Sequence, residues 1–178
     1  MAITAIPDEL RTRLTAFDGK AVSILSEIAV SFEKAPDLMH SLVPLTGDRD
    51  PMIQRGASWI VLDRMKAGIP LSQPNWQKLT EILDRITDWQ AALHILQSLE
   101  QQTPPKDCLS PLARFSGRYL DHQRAFLRAW AMSATHTLSA QDPTLTAQAK
   151  HAVAAGLEDP AASVRARARK LNQTRKSR

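Results

Sequence analysis

Five times along the chain an apolar helical stretch stops at a short turn carrying an aspartate, and a second apolar helical stretch follows. The aspartates are Asp18, Asp48, Asp88, Asp121 and Asp159, separated by 30, 40, 33 and 38 residues. An apolar residue stands one to three positions before each of them: Phe17, Leu45, Ile86, Leu120 and Leu157. A period of this size is that of a repeated helix pair, and a repeat changes what each local signal means. The second stretches align with one another as well. An apolar residue followed by a polar or basic one recurs at Ile53-Gln54, Trp89-Gln90, Leu127-Arg128 and Val164-Arg165, spaced 36, 38 and 37 residues. Four positions further on, Ala57, Leu93, Ala131 and Ala168 share the same helix face.

The breaks recur too. Pro36, Pro74, Pro104 with Pro105, and Pro143 interrupt the pattern once per period, and proline is tolerated in a helix's first turn but not in its interior. Ser110 and Asp142, each just before a proline, are candidate caps for the helices that follow. The pattern predicts ten helices, over 7–17, 19–34, 37–46, 51–67, 75–86, 88–102, 109–120, 122–138, 144–156 and 160–173. Composition agrees: alanine and leucine supply 46 residues, against 25 for valine, isoleucine and the aromatics that favour strands. The expected fold class is all-α.

One turn carries a resemblance. The stretch from Leu157 to Leu171, with Asp159-Pro160, Val164-Arg165, Ala168 and Leu171, resembles the second-helix signature of a HEAT repeat. Asp48 to Ile60 resembles it more loosely, with Asp50-Pro51 displaced, and the Asp121 repeat keeps Leu127-Arg128 and Ala131. The Trp, Gly-Tyr and Ala-Phe positions of tetratricopeptide repeats do not recur. The HEAT resemblance implies a right-handed α-α superhelix, a solenoid of about five helix pairs. It would form a single domain over residues 1–173, followed by a basic, frayed tail at 174–178. By the same analogy Asp159 caps its helix and receives Arg165 or an adjacent repeat's arginine, forming a ladder along the stack. Asp48, Asp88 and Asp121 are expected to take the same structural role.

Several chemistries are excluded or unsupported. No run of about eighteen apolar residues is present to span a membrane. Residues 1–17 lack the basic-then-apolar order of a secretory signal and carry Asp8 and Glu9, so the expected location is cytoplasmic. Cys108, the one cysteine, can form neither an intramolecular disulfide nor a thiolate zinc cage, and Asp107 beside it disfavours the thiolate. Six scattered glycines build no phosphate-binding loop, and five isolated histidines show no metal-site spacing. No cofactor, metal or catalytic residue is assigned.

A binding surface is the remaining possibility. Arg55, Trp59 and Asp63 stand at i, i+4 and i+8 on one helix stripe. Trp59 and Asp63 are similar in spacing to the Trp and Asp of HEAT-like DNA alkylation-repair glycosylases. That resemblance implies a pair flanking a damaged nucleotide, with the carboxylate stabilising positive charge on the sugar. His94, one repeat on, is placed where a basic partner would serve. The structural alternative has Arg55 stacked on Trp59, Asp63 solvated or paired with Arg64 or Lys66, and Trp89 and Trp130 in the core. A polar row along the second helices, growing more basic from Gln54 and Ser58 through Arg124 and Arg128 to Arg165 and Arg169, completes the candidate surface.

The formal charge of +5 is unevenly spread. Residues 165–178 hold seven basic residues and no acid, leaving the rest of the chain at −2. These features together suggest a nonenzymatic binding module or scaffold with a protein partner. The alternative is nucleic-acid binding through the basic C-terminal end, including a divergent HEAT-like glycosylase. The oligomeric state is left open.

Overall fold

A computed structural model describes residues 6–35 and 37–176, with side chains through residue 173. Among these residues the regular structure is entirely helical. Ten α-helices occur in order: α1 (Ile6–Leu14), α2 (Val22–Ser31), α3 (Leu38–Leu45), α4 (Pro51–Lys66), α5 (Gln73–Ile82), α6 (Trp89–Ser98), α7 (Leu109–Gly117), α8 (Ala125–Ser139), α9 (Thr146–Leu157) and α10 (Ala162–Lys176). Three short 3-10 turns lie at Leu83–Arg85, Lys106–Cys108 and Pro143–Leu145. The expected break at Pro36 lies outside the described residues, as do the side chains of the predicted tail at 174–178.

Each predicted helix has its counterpart, and the differences are at the ends. The second begins at Val22 rather than residue 19 because Asp18 Oδ1 accepts from the backbone N–H groups of Lys20 and Ala21, both at 2.8 Å, holding those residues in a turn. Asp142 caps as expected, accepting from Thr144 N at 2.9 Å where Pro143 opens a 3-10 turn. Ser110 does not cap. The chain turns at Lys106–Cys108 and enters α7 directly at Leu109, so Ser110 lies inside the helix and its hydroxyl instead accepts from Arg114 at 3.2 Å. The expected cap at Asp121 does not form: Asp121 is exposed, α8 starts after Arg124 with no side-chain cap bond, and His122 Nδ1 accepts the Arg124 N–H at 3.1 Å in the turn before the helix.

The chain divides into two compact units, Met1–Ile95 and Leu96–Arg178. In the first, α1 packs on α2, α3 and α4, and α3 packs on α4 and α5. Leu10, Leu14, Leu25, Leu42, Ile53, Ile60 and Trp76 are fully buried there. Each such aliphatic side chain contributes roughly 1.5–3 kcal/mol relative to an exposed one. Helix α4 shows why its sequence makes a helix with defined ends. Asp50 accepts from Met52 N at 2.8 Å, Pro51 occupies the first position, and Arg64 and Lys66 sit in the last turn, where cations oppose the helix dipole. Gly68, at φ +86°, closes the helix with Ile69 N bonding Arg64 O and Gly68 N bonding Met65 O, each at 3.0 Å.

In the second unit α8, α9 and α10 pack mutually, and α7 packs on α8. Ala129, Met132, Ala152, Val153, Val164 and Ala168 form a core of small residues, with Leu120, Leu157 and Leu171 against it. A Cβ on Gly156 would meet Met132 Sδ at 2.6 Å and Ala168 Cβ at 3.1 Å, so the three helices approach closely at a residue without a side chain. The marker positions Ile53, Leu127 and Val164 are buried with Ala57, Ala131 and Ala168, as the alignment requires. Trp89 and Leu93, the fourth marker pair, are only half-buried.

Long-range side-chain hydrogen bonds follow the period. Arg11–Asp48 spans 37 residues, His40–Asn75 35, Arg55–Asp88 33, Ser58–His94 36 and Arg128–Asp159 31. The Arg167–Glu100 bond spans 67, close to twice that step.

Candidate functional site

The stripe on α4 is divided among separate partners. Arg55 turns to Asp88, with Nη2 to Oδ2 at 2.6 Å and Nε to Oδ1 and Oδ2 at 3.3 and 3.2 Å. The Asp88 side chain is 5% exposed and that of Arg55 19%. The same carboxylate caps α6, accepting from Gln90 N at 2.9 Å and Ala91 N at 2.8 Å. Thus Asp88 joins a helix start to the preceding helix pair, the ladder role expected of the aspartates. Asp63 pairs with Arg64 at 3.2 Å, the adjacent residue, while Trp59 is half-buried. The expected stacking of Arg55 on Trp59 gives way to a stronger, charge-assisted partner.

Beside this rung lies Gln54, 1% exposed, whose amide is fully used. Its Nε2 donates to Asp48 O at 2.7 Å and Arg85 O at 2.9 Å, and its Oε1 accepts from Thr87 N at 2.9 Å and Asp88 N at 3.0 Å. One side chain therefore satisfies four backbone groups from two successive turns. Sequence reasoning placed Gln54 on a surface row. Its position immediately after the buried marker Ile53 is the signal that it belongs to the stack.

His94 is enclosed rather than presented. Its Nδ1 lies 2.9 Å from Ser58 Oγ, and that hydroxyl donates to Arg55 O at 3.1 Å. A hydroxyl with its one proton so committed accepts from an Nδ1–H. Burial pushes the imidazole pKa down to about 4, with nearby Lys66 and Arg55 acting in the same direction and Asp88 opposing. At neutral pH His94 is uncharged, so it supplies no cationic contact. Ser58, 2% exposed, is closed to a substrate.

The second unit repeats the rung with an arginine where Gln54 stands. Arg128 grips Asp159 bidentately, Nε to Oδ2 at 2.7 Å and Nη2 to Oδ1 at 2.8 Å, while Nη1 donates to His122 O at 2.7 Å and Gln123 O at 3.0 Å. Asp159 Oδ1 also accepts from Ala161 N at 2.8 Å. Arg128 hydrogen-bonding holds the Asp159 carboxyl below the usual carboxylate range. Between the two arginines proposed as its partner, Asp159 takes the one from the preceding pair. Arg165 uses its Nη1 on the backbone of its own turn, to Asp159 O at 2.6 Å and Pro160 O at 2.8 Å.

Arg124 and Arg169 are exposed on α8's start and on α10. Trp130, expected in the core, is half-buried beneath the guanidinium of Arg167, 3.8 Å from the ring centroid, and Arg167 also pairs with Glu100 at 3.1 Å. That clamp was not legible from spacing, since Arg167 and Trp130 belong to different helices with no shared motif. Cys108 is buried. Among the described residues no group of three or more potential metal ligands converges, and no helix is long and apolar enough to cross a membrane.

The eight candidate surface residues thus fall into two sets. Arg55, His94, Arg128 and Arg165 hold turns and helices together, whereas Trp59, Asp63, Arg124 and Arg169 keep part of their surface outward. No protein-family profile, curated protein or solved structure matches the chain.

Proposed function

We propose that the chain is a nonenzymatic HEAT-like α-solenoid module that binds an acidic protein partner through its second unit. The observation that carries this reading is the segregation of charge. Residues 1–95 hold 10 basic and 12 acidic residues, whereas 96–178 hold 13 and 6, a net of −2 against +7. Arg114, Arg118, Arg124 and Arg169 are exposed in the second unit, and a cationic field of that size steers an anionic partner. The solenoid reading is supported by side-chain bonds that recur at one-period separations and by two Arg–Asp rungs joining a helix start to the preceding pair. A rigid repeat stack offers recognition by surface complementarity, without chemistry at a buried centre. An Asp63 tied to Arg64 argues against a free carboxylate for glycosylase chemistry.

Nucleic-acid binding is the second reading, favoured by the acid-free stretch 165–178. Titration of a fluorescent glutamate-rich peptide and of duplex DNA, each at about 50 and about 200 mM salt, separates the two readings. The protein-partner reading expects peptide binding that weakens with salt and is reduced in a chain ending at Asn172. Tighter DNA binding with a steep salt slope selects the second reading, and no binding to either ligand overturns both.

A further inference from the structure

Arg128 and Arg165 make the same bonds to their own turns. In each, Nη1 donates to the carbonyl oxygens six and five residues earlier: His122 and Gln123 for Arg128, Asp159 and Pro160 for Arg165. This anchoring uses Nη1 and leaves Nε and Nη2 for another partner. Arg128 fills that edge with the Asp159 carboxylate. Among the described residues the same edge of Arg165 meets no carboxylate.

The complementary half also exists in the chain. Asp18 Oδ1 accepts from Lys20 N and Ala21 N, the i+2 and i+3 pattern by which Asp88 holds Gln90 and Ala91. Asp88 additionally receives Arg55, whereas exposed Asp18 meets no arginine among the described residues. Both halves are preformed, so pairing them requires little ordering, and the bidentate fork suits an aspartate already held by two backbone N–H groups. Helix α10 exposes Ala162, Ala166 and Arg169, while α2 exposes Val22, Ser26 and Glu27.

We infer that Arg165 of one copy grips Asp18 of a second copy, continuing the Arg–Asp ladder between molecules. Because the two surfaces differ, the contact is head-to-tail. The inference is independent of the acidic-partner reading, since the second copy contributes one particular turn rather than a charged segment.

Analytical ultracentrifugation tests it, at about 50 mM salt, where surface charges are weakly screened. The wild-type chain is expected to rise above its 19.8 kDa monomer mass as concentration increases from about 10 to about 500 μM. Arg165→Glu and Asp18→Arg each weaken association by about tenfold, and mixing the two variants restores it, because Arg165 of one then meets Asp18 of the other. Asp18→Asn keeps the oxygen that holds the Lys20–Ala21 turn and removes only the charge; it too weakens association, with an unchanged circular dichroism melt. A monomer throughout the range, association indifferent to Asp18→Asn and Arg165→Glu, or no recovery on mixing overturns the inference.

Discussion

Replacing Asp88 with alanine removes two supports at once, and their sizes can be separated. The α6 cap, with two backbone N–H groups bound at 2.9 and 2.8 Å, contributes about 1 kcal/mol. The lost ion pair leaves Arg55, whose side chain is 19% exposed, with an uncompensated charge. Breaking a buried pair costs about 3–5 kcal/mol, and partial rehydration of Arg55 places this one near the lower figure. Asp88→Ala is therefore expected to cost about 4 kcal/mol. Asp88→Asn, which retains a capping oxygen, should cost about 3. A cycle combining Asp88→Asn with Arg55→Met should show about 1.5–3 kcal/mol of coupling, because neither orphaned charge remains in the double variant. Urea unfolding followed by tryptophan fluorescence reads the correct unit, since Trp59, Trp76 and Trp89 precede residue 96 and only Trp130 follows it. With a slope near 2 kcal/mol/M the alanine variant shifts the midpoint by about 2 M. Coupling below about 0.5 kcal/mol would falsify the rung as a stabilising pair.

Two further predictions use the same readout. His94 has a folded-state pKa of about 4, below its ordinary 6.5, so the unfolded chain binds a proton that the folded chain refuses between those values. Its contribution is complete above about pH 6.5 and falls as pH drops toward 4. The loss reaches about 1.4 kcal/mol at pH 5.5 and about 3 in full. His94→Gln should flatten this part of the stability profile, and a variant that keeps the full slope disproves the assignment. Gly156→Ala places a methyl 2.6 Å from Met132 Sδ and 3.1 Å from Ala168 Cβ, and is expected to cost about 1–3 kcal/mol. The thermal melt should fall by several degrees, whereas one at or above wild type means that α8, α9 and α10 have room to spare.

The helices were legible because their signals are local. Proline at a first turn, an aspartate before it and apolar residues every three or four positions all act within one turn of chain, and α4 and α10 begin within two residues of expectation. The burial of Ile53, Leu127 and Val164 was legible for the same reason, through periodicity. What could not be read was which polar groups meet across a period. Gln54, His94 and Arg128 look like an outward row when viewed one helix at a time. Only the neighbouring turn reveals that Gln54 binds four backbone groups, that His94 is neutral against Ser58, and that Arg128 takes Asp159 before Arg165 can. Trp89 and Trp130 illustrate the opposite error: a large aromatic at a core-like position remained half-buried, in one case beneath Arg167.

The saturated amide of Gln54 has a consequence for how the protein is made. Its partners at Asp48, Arg85, Thr87 and Asp88 all lie within 34 residues of it, and the Arg55 and Arg128 rungs close over 33 and 31. At a synthesis rate of roughly 5–20 residues per second, each of the bonds that reaches the following turn can form on the order of 2–7 s after its earlier member is added. Closing loops of this length costs about 3 kcal/mol, less than pairing across the whole chain would, so successive turns can lock in chain order while synthesis continues. Orphaned donors on a nascent helix pair thus wait only for the following turn to emerge from the ribosome.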